Sequence, residues 1–207
     1  LDAVAAYFAP DGPAATWERQ SLVKARVVVG GRAAADRAME IATVASYGHA
    51  WTASDMQDIR RMRYRLEEGA ARENLKRGPG GVVDIEFIVQ ALQLLHGGRD
   101  ASLRVTESLA ALTALHAAGV VSDRRREVLE TSYRVLRAIE GRLRLLDAAA
   151  RHEFPRSREE QDRLAHLLSY ERTEDLVTDV RELTLRTRAE FEAVFDEIAR
   201  DVGSRGR

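Results

Sequence analysis

Asn74-Leu75-Lys76-Arg77-Gly78-Pro79-Gly80-Gly81-Val82-Val83-Asp84-Ile85-Glu86-Phe87 is the stretch on which the fold reading turns. A Gly-Pro-Gly-Gly break cannot continue a helix, and Val82 onward resumes apolar spacing at helical period. The segment therefore joins two helices. Glycine permits positive φ and close backbone approach. A helix start presents free N–H groups and favours negative charge. Lys76 and Arg77 just before such a start make Lys76–Gly81 a candidate phosphate or carboxylate site. The plainer reading is a turn between helices, with Asp84 placed favourably near the second helix's N-terminus. Glu86 and Gln90 share a face of that helix, whereas Asp84 and Glu86 diverge and cannot chelate one metal together.

Working outward, the periodicity is helical nearly everywhere. Leu1–Phe8 reads as a short helix stopped by Pro10-Asp11-Gly12, and Pro13 suits the first position of a helix running to about Arg26. Val27-Val28-Val29 is the only strand-like run, either an extended link or an edge that pairs with a sheet outside this chain. Helices are expected from Arg32 to about Tyr47, from a Ser54 cap toward Leu75, and over Val82–Leu95. Others follow over Thr106–Ala118, from Ser122 with a core stripe reaching Leu146, after Ser157, and from Thr173. Leu176, Val180, Leu183, Leu185, Phe191, Val194 and Phe195 mark the apolar positions of the last one. Short connections make neighbours mainly antiparallel. The fold class is thus all-α, a multi-helix bundle of mainly antiparallel helices. Residues 1–53 are read as N-terminal helices and a connector, 54–203 as the bundle domain, and 204–207 as a disordered tail.

The chain has 207 residues, 45% hydrophobic and 31% charged, with a formal net charge of -1. That balance gives no general pull toward nucleic acid or membrane, and 6% aromatic residues provide few stacking platforms for bases. Without cysteine, disulfides and thiolate metal sites are excluded. A cytoplasmic location is expected, with neither a signal peptide nor an apolar run of about 20 residues. Because the chain opens on Leu1, it is expected to be a segment of something longer.

Trp17-Glu18-Arg19-Gln20-Ser21-Leu22-Val23-Lys24-Ala25-Arg26 is the second dense segment. Arg19, Lys24 and Arg26 are either a solvated basic face or cations that reach a polyphosphate held by an adjacent domain. Arg60, Arg61, Arg63 and Arg65 crowd the helix before the glycine turn, with Glu67 and Glu68 able to neutralise part of them. No P-loop, nucleophile elbow, histidine metal spacing or paired aspartates on an apolar strand occurs. No catalytic residue and no metal ligand is assigned to this chain.

Taken in order, Trp17-Glu18-Arg19, Lys24-Ala25-Arg26, Met62-Arg63, Leu75-Lys76, Gly80-Gly81 and Asp84-Ile85-Glu86-Phe87 resemble the bifunctional glutamine synthetase adenylyltransferase/adenylyl-removing family. Gln90-Ala91-Leu92-Gln93-Leu94, Tyr133 to Glu140 and His152 to Pro155 extend the resemblance over nearly the whole chain. The family's central motif often opens with Asp where this chain has Asn74. The resemblance implies the helical domain that follows a nucleotidyltransferase domain. It further implies AMP transfer from ATP to a tyrosine of glutamine synthetase, with removal by phosphorolysis in the paired unit; the ending here resembles the adenylylating one. Mg²⁺ and ATP would be held mainly by the catalytic domain, and none by this chain alone. Partners would be that domain, glutamine synthetase and PII signal protein, without nucleic acid or membrane. Arg19, Lys24, Arg26, Arg63, Lys76, Arg77, Gly78, Gly80 and Gly81 become nucleotide-, phosphate- or domain-facing candidates. Trp17, Glu18, Asp84, Glu86 and Gln90 become structural or polar motif positions. The alternatives are a docking or spacer module for PII or glutamine synthetase, and the equivalent helical region of a PII uridylyltransferase.

Overall fold

A computed structural model describes residues 1–146 and 152–205, the side chains of 201–205 apart. Among the described residues the chain is all-α. Its helices are α1 (Asp2–Tyr7), α2 (Thr16–Ser21), α3 (Arg32–Tyr47), α4 (Ala53–Glu68), α5 (Val82–His96), α6 (Ser108–Ala117), α7 (Asp123–Leu146), α8 (Arg158–Leu167) and α9 (Thr173–Arg205). Short 3₁₀ turns occupy Leu22–Lys24 and Ala101–Leu103. An isolated antiparallel bridge, Asn74 with Glu153, is the β feature found.

Several boundaries move for local reasons. The second helix begins at Thr16 rather than Pro13, because Glu18 reaches back to accept from Ala15 N at 2.7 Å. It tightens into 3₁₀ at Leu22, so Lys24 and Arg26 do not continue an α-helical face. Thr52, not Ser54, caps α4: its hydroxyl accepts from Asp55 N at 3.2 Å, while Asp55 accepts from Thr52 N at 2.8 Å. That helix stops at Glu68, well short of Leu75. Val27–Val29 form no ladder, and Val28 and Val29 are 82% and 91% exposed. Leu146 and Leu185, expected in core stripes, are exposed. The last helix passes through Gly203 and Ser204 to Arg205, beyond the point where the tail was expected, and residues 206–207 lie outside the described residues.

The chain forms two compact units, each discontinuous in sequence. The first comprises Leu1–Met62, Phe87–Ser122 and the chain from Phe195 onward. Ile41, Ala42 and Ala45 of α3, Met56 and Ile59 of α4, Ile88 and Leu92 of α5, and Leu112 and Leu115 of α6 are buried there. Polar ties accompany that apolar packing. Trp51 Nε1 donates to Ser46 O at 2.8 Å, and Gln93 Nε2 donates to Leu103 O and Val105 O at 2.6 and 2.8 Å.

The second unit comprises Arg63–Glu86 and Asp123–Val194. Leu136, Ile139 and Leu143 recur at helical spacing along α7 and meet Leu164 of α8, Leu176 and Val180 of α9, and Leu75 and Val82 from the glycine turn. The turn thus supplies part of a hydrophobic core. Burying a Leu or Val side chain fully is worth roughly 1.5–3 kcal/mol, which anchors the turn through both flanks.

Candidate functional site

The glycine turn is organised by Asn74. Its Oδ1 accepts from Lys76 N at 3.1 Å and Arg77 N at 2.8 Å, and its Nδ2 donates to Glu153 Oε1 at 2.9 Å. Leu75 N donates to His152 O at 2.7 Å and Phe154 N to Glu73 O at 2.9 Å, completing the bridge. An Asx turn of this kind offers the backbone an alternative to helix and shapes the chain from Asn74 to Arg77. His152, in the closing element of the sequence motif, lies 3.0 Å through Nδ1 from Oε1 of buried Glu140. Arg137 Nη1 donates to the other oxygen of Glu140 at 2.8 Å.

Gly80 has φ +73, and a Cβ built there would stand 1.8 Å from the carbonyl oxygen of Thr184 on α9. The turn needs glycine here for both conformation and contact. Beyond it, Val82 N donates to Leu75 O, Val83 N to Lys76 O and Asp84 N to Gly81 O, each at 3.0 Å. These are the donors that a phosphate at a helix start would use. They are already bonded to carbonyls of their own loop.

Beneath the turn lies a charge cluster within the second unit. Asp84 and Arg63 are both 0% exposed. Asp84 Oδ1 pairs with Arg63 Nε, and Asp84 Oδ2 accepts from Gly80 N at 2.7 Å and lies 3.3 Å from Arg188 Nη1. Arg63 Nη2 donates to Arg77 O and Gly78 O, both at 2.9 Å, and its Nη1 is 3.3 Å from Glu67. Arg188 pairs with Glu67 and with Glu192 at 2.8 Å each, and its guanidinium lies 5.1 Å from the ring centroids of Tyr64 and Phe191. Burial pushes the Asp84 carboxyl above its ordinary range, against the opposing pull of Arg63 and Arg188. Arg63 therefore both neutralises Asp84 and closes two carbonyls of the glycine turn.

In the first unit the Trp17–Arg26 segment is largely committed to its own surroundings. Arg19 is buried and donates to Phe8 O and Ala9 O, both at 2.6 Å, closing carbonyls where α1 ends. Glu18 also accepts from Tyr7 OH at 2.8 Å. Gln20 Nε2 donates to Gln90 Oε1 at 2.8 Å in the interior, and Lys24 Nζ donates to Ser108 Oγ at 2.6 Å. Trp17 and Arg26 are exposed.

Arg19 and Arg63, expected to face a phosphate or another domain, are both buried with acceptors supplied by their own unit. Gly78, Gly80 and Gly81 serve close packing of the turn. Lys76, Arg77 and Glu86 remain at least partly exposed, and their side chains make no hydrogen bond or ion pair with a described residue. Sequence reasoning missed Arg188 and Glu192. No local spacing marks them, since Arg188 lies 104 positions from Asp84. Among the described residues no group of His, Asp or Glu could hold a metal ion, and no helix is long and apolar enough to cross a membrane.

Residues 53–199 match the family described as GlnD PII-uridylyltransferase. Proteins called bifunctional glutamine synthetase adenylyltransferase/adenylyl-removing enzyme are similar over most of the chain. The one from Xanthomonas axonopodis pv. citri is 35% identical over 189 residues, covering 89% of this chain and 20% of that protein. The one from Stenotrophomonas maltophilia strain K279a is 34% identical over 192 residues, covering 91% and 20%. A Bartonella henselae relative is 28% identical over 208 residues, covering 94% and 21%. The chain thus spans about a fifth of the length of the curated relatives it matches.

Proposed function

Because this chain belongs to the GlnD PII-uridylyltransferase family, we propose that it is the helical accessory domain of a nucleotidyltransferase that transfers AMP from ATP to a tyrosine of glutamine synthetase. The names of the relatives matched along about nine-tenths of this chain favour adenylyl over uridylyl transfer. Catalytic carboxylates with Mg²⁺ and ATP belong, on this reading, to a domain outside the chain, and the work is cytoplasmic. The contribution of this chain is to seat that domain and hold it rigidly.

The observation that carries the reading is apolar surface left uncovered in the first unit. Val4, Tyr7, Val27, Val28, Val29 and Val44 are all exposed. An apolar groove of about 500 Å³ lies beside Val4 and Val27–Val29, lined also by Leu1, Phe8, Ala38 and Met39. An exposed β-branched run that belongs to no helix or ladder is suited to pairing with a sheet edge. A catalytic domain built on a sheet is the occupant proposed. Arg26 borders the groove and, without a described partner, is the cation placed to meet that domain's acidic rim. The Asp84 clamp then fixes the start of α5 rather than touching nucleotide.

The test uses the protein extended through its nucleotidyltransferase domain, with AMP transfer to glutamine synthetase measured directly. Val28→Asp combined with Val29→Asp should abolish most transfer while leaving the helical circular dichroism signal of the 207-residue chain intact. Undiminished transfer would refute the seating role. The family match favours one second reading, the same helical region in a PII uridylyltransferase. UMP transfer to PII protein, without AMP transfer to glutamine synthetase, would select it.

A further inference from the structure

The second unit carries a groove with no part in the reading above. It holds about 710 Å³ and lies along the 72–79 turn, Phe154 and one face of α9. Binding clefts for small ligands run from about 300 to 1,000 Å³. Its charged lining is Arg72, Glu73, Arg181 and Arg188. The acid is already matched: Arg156 Nη2 donates to Glu73 at 3.1 Å, and Glu73's own backbone N–H together with Arg156 holds its carboxyl below the ordinary range. Arg188 is engaged by Glu67, Asp84 and Glu192. Arg72 and Arg181 make no side-chain hydrogen bond or ion pair with a described residue, though the charge of Arg72 also acts on neighbouring Glu73.

Arg181 and Leu185 are four apart on α9 and share a face, so the free guanidinium stands beside an apolar side chain that is 60% exposed. Phe154 and Pro79 add further apolar lining. From this arrangement we infer that the groove binds a small organic anion, its charged group at Arg72 and Arg181 and its apolar body along Phe154, Pro79 and Leu185. Guanidinium groups select carboxylate or phosphate oxygens, and the apolar lining favours an anion with an organic body over a bare inorganic ion. Nucleoside phosphates and aliphatic dicarboxylates share that chemistry.

Calorimetric titration of the full 207-residue chain with AMP, with glutarate and with inorganic phosphate separates these sources. AMP or glutarate should bind with a Kd below about 1 mM, and phosphate at least about tenfold more weakly. Arg72→Ala and Arg181→Ala should each weaken the bound probe about tenfold or more, at unchanged thermal midpoint, and Arg181→Lys should recover part of the loss. Binding of AMP alone assigns the groove to nucleotides, and binding of glutarate alone to dicarboxylates. Absence of heat with both up to about 10 mM overturns the proposal. So does binding that neither arginine substitution changes. AMP transfer by the extended protein is a separate readout, so failure here leaves the seating role standing.

Discussion

Replacing Arg63 by Met perturbs the Asp84 clamp at its centre. Met keeps much of the side chain's volume but removes the charge facing Asp84 and the donors to Arg77 O and Gly78 O. Asp84, with no exposure, then keeps only Gly80 N and the longer contact to Arg188. Breaking a buried pair by deleting one partner costs about 3–5 kcal/mol, because the remaining charge stays buried. Against a total folding stability of about 5–15 kcal/mol, this is a large fraction. The pH dependence has a definite sign. Burial already raises the Asp84 carboxyl above its ordinary 3.8, and loss of Arg63 removes the strongest opposing effect. The folded state then holds a proton that the unfolded state has released, so stability falls as pH rises from 3.8 through the folded value. The penalty of Arg63→Met relative to the unaltered protein should therefore be greater at pH 7 than at about pH 4. Urea unfolding at both pH values measures it. Asp84→Asn in the same background, which keeps an acceptor for Gly80 N, should cost less than the sum of the single changes by about 1–3 kcal/mol. A loss below about 1 kcal/mol at pH 7, or the opposite pH trend, would refute the clamp.

Other consequences are simpler to state. Gly80→Ala should destabilise by about 2–5 kcal/mol, combining left-handed strain with contact against Thr184 O; an unchanged urea midpoint would contradict that geometry. Ser157→Ala should cost about 1 kcal/mol, since the hydroxyl accepts from Glu160 N at the start of α8. Arg156→Ala should let the Glu73 carboxyl titrate closer to its ordinary value, followed by carbon-detected NMR, without measurable change in unfolding. Lys76→Ala should leave stability within about 0.5 kcal/mol, because that side chain bonds to no described residue.

Elements written in local residue pattern were legible before the structure. The span Arg32–Tyr47 is α3, Ser157 caps α8, and Gly119 with φ +73 follows the end of α6. The α5 helix starts at Val82 as its glycines announce. The misplaced start of α4 traces to side-chain competition for a backbone group: Thr52 captures Asp55 N ahead of Ser54. Its end falls at Glu68, where Gly69 follows, well before the turn that Asn74 holds through Lys76 N and Arg77 N. Leu185 fits the apolar rhythm of α9 yet stands exposed beside Arg181, a position that burial pattern alone misassigns.

The candidate site was legible as a set of residues but not as an arrangement. Lys76 and Arg77 before a helix start are the pattern of an anion site. Whether the donors are free depends on Leu75 O and Lys76 O, backbone groups that no residue type reports. Arg63 and Asp84 are 21 positions apart and meet only through tertiary folding, with Arg188 reaching both Glu67 and Asp84 from α9. Glu67 was the part within reach of local reasoning, four residues from Arg63. Asp84, Arg63 and Arg188 are partners of one another, and their charge is spent inside the fold.

Amide hydrogen exchange of Val82, Val83 and Asp84, followed by NMR with and without ATP, tests most directly whether the glycine turn is an internal clamp. The clamp predicts slow exchange at all three amides, since each donates to a carbonyl of its own loop, and rates that ATP leaves unchanged. Fast exchange in the free protein that slows when ATP is added would contradict it and restore the turn as an anion-binding helix start.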